Sequence, residues 1–192
     1  MKIGITTDIV DSTKYHKGVS YYIQYLVKNL PRMSDDEIYL VHFKHSNNYI
    51  YKLDLGEIII KSSDSGFSKS LASYRRKELL KELDIIHTTA PRLPYFPLYS
   101  IPKVKKVLTV HGLDLYIPSY WRARFHKMPM GWLQQKLLDV LFSRNKDKID
   151  AFIAVSNFLK QELVTYLRIP NEKICVVYHG VCLLYTSPSP RD

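Results

Sequence analysis

Residues 151–181 read AFIAVSNFLKQELVTYLRIPNEKICVVYHGV. The run from Asp150 to Val155, apolar after its first residue, reads as a strand. Ser156 or Asn157 can then cap a helix, because a short polar side chain accepts the amides that a first turn leaves free. Leu159, Leu163, Tyr166 and Leu167 return at helical spacing behind it. Pro170 and Asn171 make a turn, and Ile174 to Tyr178 is a second apolar run. A strand, a helix and a strand follow one another within about thirty residues, the spacing of a βαβ unit.

The same alternation extends toward the amino terminus. Val104 to Val110 and Asp84 to Thr89 read as strands, with Pro91, Pro94, Pro97 and Pro102 marking the stretch between them as a loop. Lys69 to Leu83 reads as a helix with Leu71, Tyr74, Leu79 and Leu83 on its inner side. Glu37 to Phe43 and Glu57 to Lys61 are strand-like. Before them Val19, Tyr22, Ile23, Leu26, Val27 and Leu30 form one wide apolar stripe that Pro31 ends. Met1, Ile3 and Ile5 alternate with Lys2, Gly4 and Thr6 as a first strand. Beyond Pro129, Leu133, Leu137, Leu138, Leu141 and Phe142 restore helical periodicity. Strands alternating with helices in this way predict an α/β fold: a parallel sheet with helices on both faces. Such a sheet carries its ligand crevice at the carboxyl ends of the strands. The loops Thr7–Gly18, His87–Pro102, His111–Pro118 and the residues after Ser156 are therefore the functional candidates.

Composition narrows the chemistry. The 192 residues carry 28 Lys and Arg against 18 Asp and Glu, a net charge of +10, and the 46% hydrophobic content is that of a folded domain. No apolar run approaches the roughly 20 residues that span a bilayer, and Asp8 and Asp11 interrupt the start too early for a signal peptide. A cytoplasmic location is expected. Cys175 and Cys182 cannot form a zinc cage by themselves. The seven glycines, at 4, 18, 56, 66, 112, 131 and 180, exclude a GxGxxG fingerprint, and none precedes a lysine as a Walker A loop requires. HExxH, CxxC, GxSxG and Asp-x-Asp are absent, so neither a metal nor a cofactor is expected. What remains is a set of polar residues at strand ends: Gly18, His87, Thr88, Thr89, His111, Gly112, Asp114, Ser156 and Asn157.

Those residues sit in segments that resemble family 4 glycosyltransferases. KGVSYYIQYLVKNL, from Lys17, resembles the family's glycine-rich first loop and helix. LTVHGLDLYIPSYW, from Leu108, resembles its Thr-Val-His strand end followed by Pro and an aromatic, and 151–181 resembles its segment ending near Asn-Gly. The order is the family's, over residues 1–181. The resemblance implies one half of a GT-B fold: a Rossmann-like amino-terminal domain, residues 1–181, that seats the acceptor, stopping before the donor-binding domain. It implies a retaining transferase that moves a sugar from a nucleotide-sugar donor to a lipid-linked or glycan acceptor. On that reading His111 is catalytic and reaches the transferred sugar or its leaving oxygen, and Gly18 lets backbone approach the donor's diphosphate. Gly112, Asp114, Ser156, Asn157, Tyr95 and Tyr116 line the acceptor side or the cleft, with Tyr99, Tyr120 and Trp121 as further aromatic candidates. The family commonly has two glycines where Lys17 and Gly18 stand, Asp at 112 and Asn at 179.

Each residue also has a plainer reading. A strand-end histidine is commonly structural, which is the reading kept for His42, His45, His87 and His126. Gly18 can be a turn residue, and Ser156 can be a helix cap and nothing more. The basic clusters at 75–77, 103–106, 122–127 and 144–148 suit an anionic membrane surface, with the protein peripheral at its inner face. The rival class is a basic α/β binding module, for nucleic acid or as a non-enzymatic partner subunit. No basic stripe interleaved with exposed aromatics supports nucleic acid. Leu183–Asp192, LLYTSPSPRD, follows neither period and resembles translated sequencing adaptor. Residues 182–192 are expected to be a non-native or disordered tail.

Overall fold

The computed structural model of the chain describes residues 1–11, 17–44, 47–63, 65–113 and 140–180. Seven strands form one parallel sheet: β1 (Lys2–Thr6), β2 (Glu37–His42), β3 (Gly56–Ile59), β4 (Ile85–Thr88), β5 (Lys105–Val110), β6 (Ala151–Ala154) and β7 (Ile174–Val176). Their order is β3-β2-β1-β4-β5-β6-β7. Three helices have full bounds, α1 (Lys17–Met33), α2 (Gly66–Arg75) and α3 (Asn157–Leu167), and residues 140–145 are also helical. The α/β, Rossmann-like expectation is met. Among the described residues no helix is long and apolar enough to cross a membrane.

Both sheet faces are buried because the strands are apolar at successive positions, as a doubly covered parallel sheet requires. In β2, Ile38 and Leu40 pack with Ile23 and Val27 of α1. Val41, one position out of phase, packs on the opposite face with Leu80, Leu83 and Ile86. Gly4 permits this second layer, since a Cβ there would stand 2.5 Å from Leu83 Cδ1. A third cluster joins Leu108 and Val110 of β5 to Phe152 and Ala154 of β6 under Leu159 and Leu163 of α3.

Three local expectations are corrected. The helix α1 continues past Pro31 to Met33, since a proline in the final turn forfeits a single backbone bond. The proline-rich stretch contains a 3₁₀ helix, Leu93–Ser100, which Pro94 enters at its first turn. The third concerns α2, which ends at Arg75 and is followed by a 3₁₀ turn, Lys77–Leu80. Its outward side chains are Leu71, Tyr74 and, beyond the helix, Leu79, while Ser73, Leu80 and Leu83 are buried. The break at Arg76 resets the angular phase, so one helical stripe cannot run through the whole segment.

Candidate functional site

After β1 the chain moves outward to β2 and β3, then returns to place β4 on the other side of β1. Connections leaving β1 and β4 therefore diverge, which opens a crevice at their carboxyl ends. Thr6 and Thr89 close its floor. The Thr89 amide donates to Thr6 Oγ1 at 3.0 Å and the Thr89 hydroxyl donates to the Thr6 carbonyl at 2.8 Å.

His111 directly follows β5 and leans over this floor, because its Nε2 lies 2.9 Å from the Thr89 carbonyl oxygen. A carbonyl only accepts, so Nε2 carries the proton and Nδ1 is the basic nitrogen. His179 Nε2 lies 3.2 Å from that Nδ1, and the two rings stack at 5.2 Å. Burial, with a contribution from His179, holds His111 down to about 4 against the opposing pull of the Thr89 carbonyl. The ring is therefore neutral at pH 7. What it offers a ligand is a hydrogen-bond acceptor at Nδ1, in the place His179 takes here.

Tyr22 of α1 sets its ring edge against both histidines, 4.9 Å from His111 and 5.2 Å from His179. Its hydroxyl is 3.0 Å from Thr109 Oγ1, which is 2.7 Å from His87 Nε2. The sequence placed Tyr22 correctly on the apolar stripe of α1 but did not show its polar end entering the site. His87 is buried, and burial first, then neighbouring His111, depresses it to about 4. Its side-chain partner among the described residues is the Thr109 hydroxyl that also meets Tyr22, which fits its structural reading.

Gly18 lies one helical turn before Tyr22, on the same side of α1. The first turn of α1, which has no acidic side chain, thus precedes the turn whose Tyr22 touches His111. Gly18 is exposed and a Cβ built on it meets nothing within 4 Å. Packing among the described residues does not demand a glycine there. Amides of a helix's first turn lack intrahelical partners and carry the positive end of its dipole, so they suit a phosphate.

Gly112 is half-buried next to His111. Across the β5–β6 pair, Ser156 caps α3, its hydroxyl accepting the Leu159 amide at 3.1 Å, and Asn157 Nδ2 donates to the Tyr178 hydroxyl at 2.7 Å. The plainer reading of Ser156 is thus realised, with its hydroxyl proton still available. Asp114 and Tyr116, like Tyr120 and Trp121, lie outside the described residues.

Tyr95 and Tyr99 are corrections. Neither lines the cleft: both are core side chains, 0% and 1% exposed. The 3₁₀ helix of 93–100 turns them under the sheet, where Tyr95 stacks on Phe43 at 6.3 Å and the Tyr99 hydroxyl meets Thr88 Oγ1 at 2.9 Å. A loop reading of this stretch gives no inward face, and for that reason it misled.

One cluster had not been anticipated. Asp8, two residues beyond β1, is buried with Oδ2 3.3 Å from Arg92 Nη1 and 3.9 Å from Lys69 Nζ of α2. Burial raises its carboxyl above the usual range, while Arg92 and Lys69 oppose that rise. Its position in the loop that leaves a strand was the available signal. The pairing across three elements was not in the local sequence.

The family model described as Glycosyltransferase Family 4 matches residues 16–183. No curated protein matches the chain. Among solved structures, a glycosyltransferase from Rickettsia africae is similar at 20% identity with a TM-score of 0.60, covering 94% of this chain and 43% of that one. The Anabaena protein HepE, in complex with UDP-glucose, matches at 14% identity and TM-score 0.57, over 94% of this chain and 44% of its own. A UDP-GlcNAc 2-epimerase from Methanocaldococcus jannaschii matches at 14% and 0.59, over 92% and 45%. The chain thus spans less than half the length of each. The epimerase shows that this fold serves more than one reaction.

Proposed function

The chain belongs to glycosyltransferase family 4, and from that premise we propose that it is the amino-terminal, acceptor-binding half of a retaining glycosyltransferase. The observation that carries the reading is the edge contact, at the strand switch point, of a neutral His111 with Tyr22 of α1, one helical turn after the unobstructed Gly18. The donor is a nucleotide-sugar, a choice supported by the UDP-glucose held by HepE. The nucleotide contacts belong to a second domain. The acceptor is a lipid-linked sugar or another glycan, and the reaction runs in the cytoplasm at the inner face of the membrane.

Each residue then has a defined task. The amides around Gly18 receive the diphosphate, whose negative charge grows as the sugar leaves, and preorganised donors are most effective where charge develops. The proposal gives this work to backbone rather than to a metal. His111, held neutral, accepts a hydroxyl proton of the transferred sugar at Nδ1, displacing His179, and so orients the reacting carbon. Because Nε2–H is committed to Thr89, His111 is not the acid that protonates the departing oxygen. Gly112, Ser156 and Asn157 shape the acceptor side, with Asp114 and Tyr116 assigned there from the resemblance.

The test uses the full-length natural protein that contains this chain. His111→Ala should lower kcat by about 10² or more while the circular dichroism spectrum is kept. Near wild-type turnover in the folded variant would remove His111 from the reaction.

A further inference from the structure

The buried cluster around Asp8 has no task in the reaction just described, and its hydrogen bonding is incomplete. Asp8 comes from the loop after β1, Arg92 from the loop after β4 and Lys69 from the first half of α2. Because the strands are parallel, all three stand at the carboxyl end of the sheet. Asp8 is two residues from Thr6 and Arg92 three from Thr89, so at most about 11 Å of chain separates either from the crevice floor. The Lys69 side chain is only 16% exposed, with Nζ 5.5 Å from the centre of the Phe43 ring. That Nζ is 3.9 Å from Asp8 Oδ2, beyond hydrogen-bond range, and it has no hydrogen-bond partner among the described residues. Arg92 spends one N–H on the same oxygen at 3.3 Å and is 32% exposed. Asp8 Oδ1 is buried without a partner among the described residues.

Charge decides what this cluster lacks. Two cations meet one carboxylate, so at least one positive charge is left over whether or not Asp8 is protonated. Burial raises the Asp8 carboxyl, which can only enlarge that excess. A cation withdrawn from water is stable when it is both paired and hydrogen-bonded. Lys69 is mostly withdrawn, it hydrogen-bonds to no described residue, and it shares its carboxylate with Arg92. The missing piece is an anionic oxygen that accepts from Lys69 Nζ and from the remaining N–H groups of Arg92. It is not the diphosphate received near Gly18. Lys69 lies over Phe43, which packs with Val41 on the face of the sheet opposite α1.

We propose that Lys69 and Arg92, held together by Asp8, form an anion clamp at the crevice rim that takes the carboxylate or phosphate of an acidic sugar in the acceptor. A neutral sugar leaves the excess cation uncompensated, whereas one anionic group cancels it. The clamp fixes the acceptor at a point away from His111 and so positions the acceptor without touching the reacting atoms. Assigning the anion to the acceptor rests on the transferase reading; the anion site itself does not.

NMR titration of the 192-residue chain with glucuronate, glucose 6-phosphate, glucose and UDP tests this. At least one of the two acidic sugars should bind saturably and shift the amides of Asp8, Lys69 and Arg92, and whichever binds more tightly tells carboxylate from phosphate. Binding should weaken as salt rises, and glucose should leave those amides in place. Lys69→Met, which keeps the aliphatic stem, and Arg92→Met should each raise Kd at least about tenfold through the loss of a charge-assisted hydrogen bond. Lys28→Met, on the exposed side of α1, removes the same charge elsewhere and should change nothing. Thermal melts matching wild type would show the variants folded; should Lys69→Met fail to fold, Arg92→Met, at a more exposed side chain, carries the test. Absence of saturable binding by either acidic sugar, equal binding of glucose, unchanged affinity in the folded methionine variants, or competition by UDP for the same amides would overturn the proposal. In the full-length enzyme Lys69→Met should raise KM for an acidic acceptor at least about tenfold and leave KM for the nucleotide-sugar unchanged. Absence of transfer by the wild-type enzyme, with acidic sugars still bound by the chain, would refute the transferase reading and leave the anion site standing.

Discussion

Lowering the pH from 7 to 5 should cost the fold about 2 kcal/mol through His87 alone. Burial holds this imidazole near 4 in the folded chain, against about 6.5 when exposed. Between those values the unfolded chain binds more protons than the folded one, so stability is present in full above about 6.5 and is lost as the pH falls. The slope approaches 1.36 kcal/mol per pH unit in mid-window, and the loss reaches about 3 kcal/mol at pH 4. His111 acts with the same sign and Asp8 with the opposite one, because its carboxyl is raised by burial. A comparison with His87→Gln cancels both to first order. Gln can still offer an amide to Thr109 Oγ1 but does not titrate. Urea unfolding of both proteins at pH 7 and pH 5 should give a wild-type loss about 2 kcal/mol larger than that of the variant. The His87 ring proton resonance should also stay still from pH 7 to 5. Equal losses in the two proteins, or an NMR midpoint near 6.5, would refute the account of His87 as a buried neutral support.

Three further substitutions separate stability from function. Gly18→Ala should stabilise the chain by up to about 1 kcal/mol, since alanine favours helix and the new Cβ meets nothing. In the full-length enzyme it should weaken donor affinity, and unaltered donor affinity would remove the diphosphate from this turn. Tyr95→Phe should leave stability unchanged or raise it by up to about 1 kcal/mol, because the buried Tyr95 hydroxyl has no partner among the described residues; a large drop in melting temperature would reveal one. Asp8→Asn should be neutral or stabilising at pH 7, because desolvation outweighs its cations and Arg92 is partly solvated. A clear shift of the urea midpoint to lower concentration would reverse that ranking.

How much was legible depended on the range over which each feature is encoded. All seven strands and the helices α1 and α3 follow from periodicity within about fifteen residues. Their alternation alone implies a parallel sheet and puts His111 and Ser156 at strand ends. Pairing chemistry was not legible. That His111 donates to Thr89 and faces His179, or that Asp8 meets Lys69 and Arg92, depends on residues 22 to 84 positions apart.

The contrast is sharpest between residues 66–83 and 90–102. Apolar residues there announce that something is buried but not which side, because a break at Arg76 and a 3₁₀ turn at 93–100 change the phase that a single helical period assumes. So the sequence by itself determined the α/β class, the strand ends and the family resemblance, all written in local periods and short motifs. Only the tertiary structure decided that Tyr95 is core, that Leu71 and Tyr74 face outward, and that His111 is neutral. Burial and the field at a side chain come from strands and helices brought together across the whole sheet, and no local window contains them.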